Sequence, residues 1–84
     1  MEEETVTVLF HVPEQNIEAD IEIPLYISPN DLLFALNEAY HLQIPQEELN
    51  RKHLKSERPT ALLEGAGTLE EFGIRNGTEI YFMG

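Results

Sequence analysis

Two runs near the start of the chain alternate between apolar and polar residues, the pattern of half-buried β-strands. The first run covers residues 5–12 and the second covers residues 17–23. Their apolar positions are Val6, Val8, Phe10 and Val12 in the first run, and Ile17, Ala19, Ile21 and Ile23 in the second. Only the turn-forming segment Pro13–Asn16 separates the runs. We therefore expect an antiparallel hairpin with one apolar face and one face open to water.

A helix start follows the hairpin. Ser28 can accept a hydrogen bond from a first-turn amide, Pro29 suits the first helical position, and Asp31 faces the positive end of the helix dipole. The pattern predicts a helix over about residues 29–41. Its apolar stripe comprises Leu32, Leu33, Leu36, Ala39 and Tyr40. Phe34 lies on the opposite side, with Asn30, Asn37 and Glu38, and does not fit the stripe.

The second half of the chain shows shorter elements. One helical turn is predicted within residues 45–49, and two short strands are predicted at residues 51–57 and 60–63. A helical turn at residues 68–72 ends at Gly73, which suits a left-handed cap. After the turn dipeptide Asn76-Gly77, the last strand covers residues 78–82 and directs Ile80 and Phe82 to one face.

This order of elements predicts the fold class. One helix of about three turns can cover one face of a mixed sheet of four or five strands, provided that the final strand returns beside the first. The prediction is an α+β fold, the β-grasp arrangement. We expect one domain over residues 1–84, with disorder confined to residues 1–4.

Composition narrows the function classes. A chain of 84 residues that is 42% hydrophobic forms one small core and leaves no room for a deep cleft between domains. The formal net charge is −11, from 16 acidic and 5 basic residues, so nucleic acid and anionic lipid are set aside as partners. No secretory signal and no membrane-spanning apolar run is visible in the sequence, so we expect a cytoplasmic location.

The charge is unevenly distributed. Residues 1–50 hold eleven acids and no lysine or arginine, whereas Arg51, Lys52, Lys55 and Arg58 fall within eight residues. A basic cluster on an acidic protein can be a docking point. Alternatively, it relieves self-repulsion.

Catalytic chemistry is not visible. The chain has no cysteine, and His11, His41 and His53 lack the short spacing of a metal site. Neither a Ser/His/Asp set nor a glycine-rich phosphate loop is found, because Gly65-Ala66-Gly67 is too short for one. We expect a protein that is not an enzyme and needs no cofactor or metal.

Two stretches carry a family resemblance. The segment Thr68–Phe82 looks like the ubiquitin-type pattern of Thr-Leu, an aromatic residue, Ile, a turn and an alternating strand. The segment Ala19–Leu32 most resembles the small bacterial YukD/EsaB proteins and is similar to the ubiquitin-like domain of the EccD membrane component. The resemblance implies a non-catalytic accessory protein of a type VII (ESX-like) secretion system. Its implied partners are membrane or ATPase components of that system.

The outward face of the sheet is the usual docking surface in ubiquitin-like folds. Strand alternation directs Leu9, His11, His53, Lys55 and Tyr81 to that face, and the basic segment Arg51–Arg58 runs beside it. The alternative is an ordinary solvated sheet face. Phe34 either anchors a partner or packs under the loop at residues 43–50 or the N-terminal residues.

Two further hypotheses stay open. A ubiquitin-like modifier is conjugated through a flexible Gly-Gly tail, whereas this chain ends in one glycine, Gly84, directly after a bulky strand. Conjugation through Gly84 is therefore an alternative, as is a ubiquitin-like interaction domain cut from a larger protein. In addition, the acidic edge strand at residues 17–23 permits weak head-to-tail pairing with the bases of a second copy. Alternatively, its charges prevent edge pairing.

Overall fold

The computed structural model describes residues 4–83 and shows five strands, one α-helix and two short 3-10 helices. The strands and the α-helix are β1 (Thr5–Val12), β2 (Ile17–Pro24), α1 (Pro29–Tyr40), β3 (Leu54–Glu57), β4 (Ala61–Leu63) and β5 (Glu79–Tyr81). The 3-10 helices cover Pro13–Gln15 and Gln46–Arg51.

All five strands form one mixed sheet in the order β2-β1-β5-β3-β4. The pairing of β1 with β5 is parallel, and the other three pairings are antiparallel. The last strand therefore lies in the middle of the sheet, beside the first. This confirms the predicted α+β β-grasp arrangement, with α1 as its main helix.

The hairpin forms because its two apolar faces coincide in register. Val8 is paired with Ile21, and Phe10 is paired with Ala19, so their side chains lie on the same side of the sheet. Asn16 adopts the left-handed conformation, with φ of 55°, and closes the turn. The predicted hairpin is confirmed, and its apolar face packs against the core.

Capping residues define both ends of helix α1. The Oγ atom of Ser28 accepts a hydrogen bond of 3.1 Å from the amide of Asp31, as the capping pattern predicts. His41 is left-handed and caps the other end, so the helix ends at Tyr40.

The apolar stripe of α1 is narrower than predicted. Leu32, Leu33 and Leu36 are buried, whereas Ala39 is exposed. In the last turn of α1, Tyr40 is the residue of the stripe that packs against the core. Its ring lies 5.4 Å from that of Phe10, centroid to centroid, which leaves Ala39 on the solvent side.

Several predicted boundaries in the second half were wrong. Arg51 belongs to the second 3-10 helix, which extends past the single turn predicted there, and β3 begins only at Leu54. The last two strands, Ala61–Leu63 and Glu79–Tyr81, are shorter than predicted.

The predicted turn at residues 68–72 is present as consecutive hydrogen-bonded turns. Their amides bond to carbonyls three residues back, and the amides of Leu69 and Glu70 bond instead to the link between β2 and α1. Gly73 has the predicted left-handed conformation, with φ of 83°.

Two fully buried hydroxyl groups hold the turn between β3 and β4. The Oγ atom of Ser56 donates a hydrogen bond of 2.6 Å to the carbonyl of Pro59. The Oγ1 atom of Thr78 donates a bond of 2.8 Å to the carbonyl of Arg58 and accepts one of 3.1 Å from the amide of Arg75. Thr78 thus joins the approach to β5 to the neighbouring turn.

The side-chain amide of Asn37 holds the segment that follows α1 in place. Both polar atoms of the Asn37 side chain bond to the backbone of Ile44, each at 3.0 Å. Sequence patterning had placed Asn37 on the solvent side of the helix. The residue is partly buried because this double bond holds the segment after the helix against it.

Replacing Thr78 with valine keeps the shape of the side chain and removes its hydroxyl group. The carbonyl of Arg58 and the amide of Arg75 then lose their partner inside the protein. We expect the free energy of unfolding to fall by about 1–3 kcal/mol in urea denaturation. The control Thr7→Val makes the same change at an exposed strand position, and we expect it to be nearly neutral. Equal effects at the two positions would contradict this role of Thr78.

Candidate functional site

The face of the sheet that points away from α1 carries one continuous row of side chains across four strands. Strand pairing places His11 opposite Tyr81, Tyr81 opposite Lys55, and Lys55 opposite Leu62. The row therefore crosses β1, β5, β3 and β4 in turn. We call this surface the outer face.

A shallow groove lies at the end of this row. It has a volume of about 330 Å³, and its lining residues are Arg51, Lys52, His53, Lys55, Leu62, Tyr81, Phe82 and Met83. We call it the basic groove. Leu62 and Met83 are 48% and 58% exposed, so the groove offers apolar surface to solvent between its cations.

Within the described residues 4–83, the three cations of the basic groove form no ion pair. Among residues 4–83, the ion pairs of the structure involve His11 and Arg58, and none involves Arg51, Lys52 or Lys55. This is unusual in a chain with 16 acidic residues. Their positive charge is therefore available to a partner.

Glu79 stands at the centre of a polar network beside the groove. Its Oε2 atom lies 2.6 Å from Nη2 of Arg58, and its Oε1 atom accepts a hydrogen bond of 3.0 Å from the hydroxyl of Tyr81. The bond from Arg58, followed by that from Tyr81, lowers the pKa of Glu79. The same contacts raise the pKa of Arg58, and the bond to Glu79 together with burial raises the pKa of Tyr81.

His11 connects this network to the acidic strand β2. Its ring stacks on Tyr81 with the centroids 4.5 Å apart. Nδ1 lies 3.3 Å from a carboxylate oxygen of Glu18, and Nε2 lies 3.2 Å from Oε1 of Glu79. The second contact lacks hydrogen-bond geometry, so Nε2 is buried without a hydrogen bond among the described residues. The stack fixes the position of Tyr81 at the groove.

The structure brings together five of the seven residues predicted to bind a partner. Arg51, His53, Lys55 and Tyr81 line the groove, and His11 stacks on Tyr81. Leu9 and Phe34 lie elsewhere.

The two remaining candidates lie outside the groove. Leu9 lies on the outer face, as strand alternation predicts, and is partly buried beside Asp20 and Arg58. Phe34 is 49% exposed on α1, in a depression that it shares with Leu49 of the second 3-10 helix. It lies beside the loop that was predicted to cover it, but half of the side chain remains in contact with solvent.

Sequence patterning missed the apolar members of the groove. Leu62 sits in a three-residue strand whose alternation is too short to assign a face, and Met83 follows the last strand. Only the strand pairing shows that both lie beside the bases of residues 51–55. The alternative candidate Gly84 lies outside the described residues, as do residues 1–3 of the segment predicted to be disordered.

Within residues 4–83, no three His, Asp or Glu side chains are grouped as metal ligands. In the same range, no helix is both long and apolar enough to cross a membrane.

Comparison with solved structures identifies the fold. The C-terminal ubiquitin-like domain of mouse tubulin-specific chaperone e matches with a TM-score of 0.75 at 12% identity, over 99% of this chain and 89% of that one. The ubiquitin-like domain of tubulin-binding cofactor B matches with a TM-score of 0.73 at 18% identity, over 95% and 89%. That of Plasmodium falciparum Dsk2 matches with a TM-score of 0.61 at 21% identity, over 94% and 99%.

No protein-family model and no curated protein matches the chain. The similarity to solved structures is one of fold, at sequence identities of 12% to 21%. The chain has the ubiquitin-like β-grasp fold.

The network around Glu79 makes a contribution to stability that depends on pH. Because the pKa of Glu79 is lower in the folded state, its contribution is present above the ordinary glutamate pKa of about 4.3 and is lost as the pH falls through the folded value. We expect Glu79→Gln to be less stable than the wild type at pH 7, with a gap that closes below about pH 4.

Urea denaturation at several pH values measures this gap. The control Glu38→Gln alters an exposed carboxylate on α1, and we expect no gap that closes with acid. A gap for Glu79→Gln that stays constant from about pH 7 to about pH 3 would show that ionised Glu79 does not hold the network.

Proposed function

We propose that this chain is a non-catalytic ubiquitin-like adaptor that binds a protein partner through the basic groove. The observation that carries the proposal is the combination of exposed Leu62 and Met83 with three cations that form no ion pair within residues 4–83, on a chain of net charge −11. The partner segment that suits this surface has acidic side chains next to apolar ones.

The arrangement resembles a small protein interface in its physical parts. Tyr81 and the exposed apolar side chains can be desolvated by a partner, and buried aromatic anchors contribute most of the binding energy in such interfaces. The surrounding cations attract an acidic segment and set its orientation. Tyr81 is already held by His11 and Glu79, so little conformational entropy is lost when it is covered.

The placement of the bases weighs against a role in relieving self-repulsion alone. A base that only offsets acidic neighbours lies beside them, as Arg58 lies beside Glu79. Arg51, Lys52 and Lys55 instead surround a groove and form no ion pair within residues 4–83. Glu48 lies near Lys52 and Glu57 lies near Lys55, but neither forms an ion pair with it in the described part of the chain. The charge of these bases therefore favours recognition of an acidic partner.

The system in which the adaptor acts is proposed from the sequence. The stretch Ala19–Leu32 resembles the YukD/EsaB proteins, and this supports an accessory role in a bacterial type VII secretion system. On this proposal, the protein acts in the cytoplasm and binds a membrane or ATPase component of the machinery. The similarity of fold to other ubiquitin-like domains agrees with a binding role.

Reversing two charges of the groove tests the surface. We expect Arg51→Glu combined with Lys55→Glu to lower the recovery of the partner about tenfold, since each reversal changes the binding free energy by roughly 0.5–1 kcal/mol. The measurement is affinity purification from the source cells, with quantification by mass spectrometry. The result that supports the proposal is recovery of secretion-system membrane or ATPase components by the wild type and their loss with the variant.

The control Arg75→Glu reverses an exposed base outside the groove and should retain the partner. Equal recovery of those components by the wild type and the double variant would remove the groove from the proposal. Recovery of no such component would overturn the secretion-system role. A covalent adduct at Gly84 would indicate a modifier instead of an adaptor.

A further inference from the structure

One edge of the sheet is acidic, and the other lies beside the basic groove. At one edge, β2 directs Glu18, Asp20 and Glu22 towards the outer face, and all three are exposed. At the other edge, β4 lies beside the basic groove. No ion pair involves Asp20 or Glu22 within the part of the chain that the structure describes.

Both edges have backbone groups available for a further strand. Within residues 4–83, β2 is paired only with β1, and β4 is paired only with β3. A strand added beside β4 lies about 5 Å from it and about 10 Å from β3. At that distance, acidic side chains on the added strand can meet the extended side chain of Lys55 on the same face.

On the inner side of the sheet, both edges carry partly buried apolar residues. Ile17 and Ile21 of β2 and Ala61 of β4 are partly buried, and each packs at the border of the core. Placing β2 of one copy beside β4 of another brings these apolar borders together on the inner side. The same placement brings acids and bases together on the outer side.

We propose that the basic groove and the β4 edge receive the acidic strand β2 of a second copy of this chain. The contact is head-to-tail, because it joins two different surfaces. It extends the sheet from one molecule to the next and leaves one acidic edge and one basic groove free at the ends. The proposal rests on the proposed function, since it names a partner for the same groove.

The acids of β2 decide which edges pair. Two β2 strands placed side by side bring like charges together, which disfavours a symmetric dimer through this edge. The pairing of β2 with β4 brings unlike charges together. The acids of β2 therefore disfavour pairing of β2 with β2 and favour pairing of β2 with β4.

The net charge of −11 on each copy opposes association at long range. At about 0.15 M salt the Debye length is about 8 Å, so repulsion between distant charges is screened while pairs at the contact are less affected. The association is consequently expected to be weak and to depend on concentration. It also competes with another acidic partner for the groove.

Three proteins test the proposal by analytical ultracentrifugation at about 0.15 M salt. They are the wild type, a groove variant (Arg51→Glu with Lys55→Glu) and an edge variant (Asp20→Lys with Glu22→Lys). We expect the mass of the wild type to rise continuously between about 10 µM and about 1 mM, past that of a dimer. Each variant alone should remain a monomer. A mixture of the two should associate again, because the groove variant retains its acidic edge, the edge variant retains its groove, and the two reversed surfaces are also opposite in sign.

The control variants Arg75→Glu and Glu38→Lys make similar charge changes away from both edges and should associate as the wild type does. A mixture of groove and edge variants that stays monomeric, or a dimer that survives in either variant alone, would overturn head-to-tail pairing. If the mixture stays monomeric but the groove variant still loses its cellular partner, the proposed function stands without self-association. If the mixture associates and the groove variant retains the cellular partner, self-association stands and the proposed function fails.

Discussion

The parallel pairing of β1 with β5 is the constraint on which the rest of the structure depends. The amide of Leu9 bonds to the carbonyl of Thr78 at 3.0 Å, and the amide of Phe82 bonds to the carbonyl of His11 at 2.9 Å. These bonds place β5 between the hairpin and β3, so two local units become one sheet. The same pairing stacks Tyr81 on His11 and places Lys55 on its other side. The candidate site therefore forms only when β5 pairs with β1.

The surface chemistry follows from this closure. Core residues alternate with outer-face residues along β5, so burying Ile80 and Phe82 directs Glu79 and Tyr81 outward. Glu79 takes Arg58 as its partner, whereas the bases of the groove remain unpaired within residues 4–83. An acidic chain thus presents one basic, partly apolar surface. Its opposite sheet edge carries charge of the other sign. This polarity connects the proposed adaptor role with the proposed self-association.

Local patterns predicted the elements that are long or carry strong end signals. The hairpin has eight residues in each strand, so its alternation assigns every side chain to a face, and Ser28 marks the start of α1. The boundaries failed where elements are short. Residues 46–51 and 68–72 form 3-10 and turn structures with weak periodicity, and Arg51 was consequently assigned to the wrong element. The groove needed strand pairing across distant segments, which one-dimensional patterning does not provide.

The polarity of the sheet leads to one direct expectation: the basic groove binds the acidic strand β2 of a second copy. NMR titration of the ¹⁵N-labelled protein with a synthetic peptide of residues 17–24 tests it most directly, with a peptide that carries lysine at each acidic position as the control. We expect only the acidic peptide to shift amide signals, with the shifts concentrated at Lys52, Lys55, Leu62 and Tyr81. Absence of shifts with the acidic peptide, or shifts centred on Phe34 across the molecule, would contradict it.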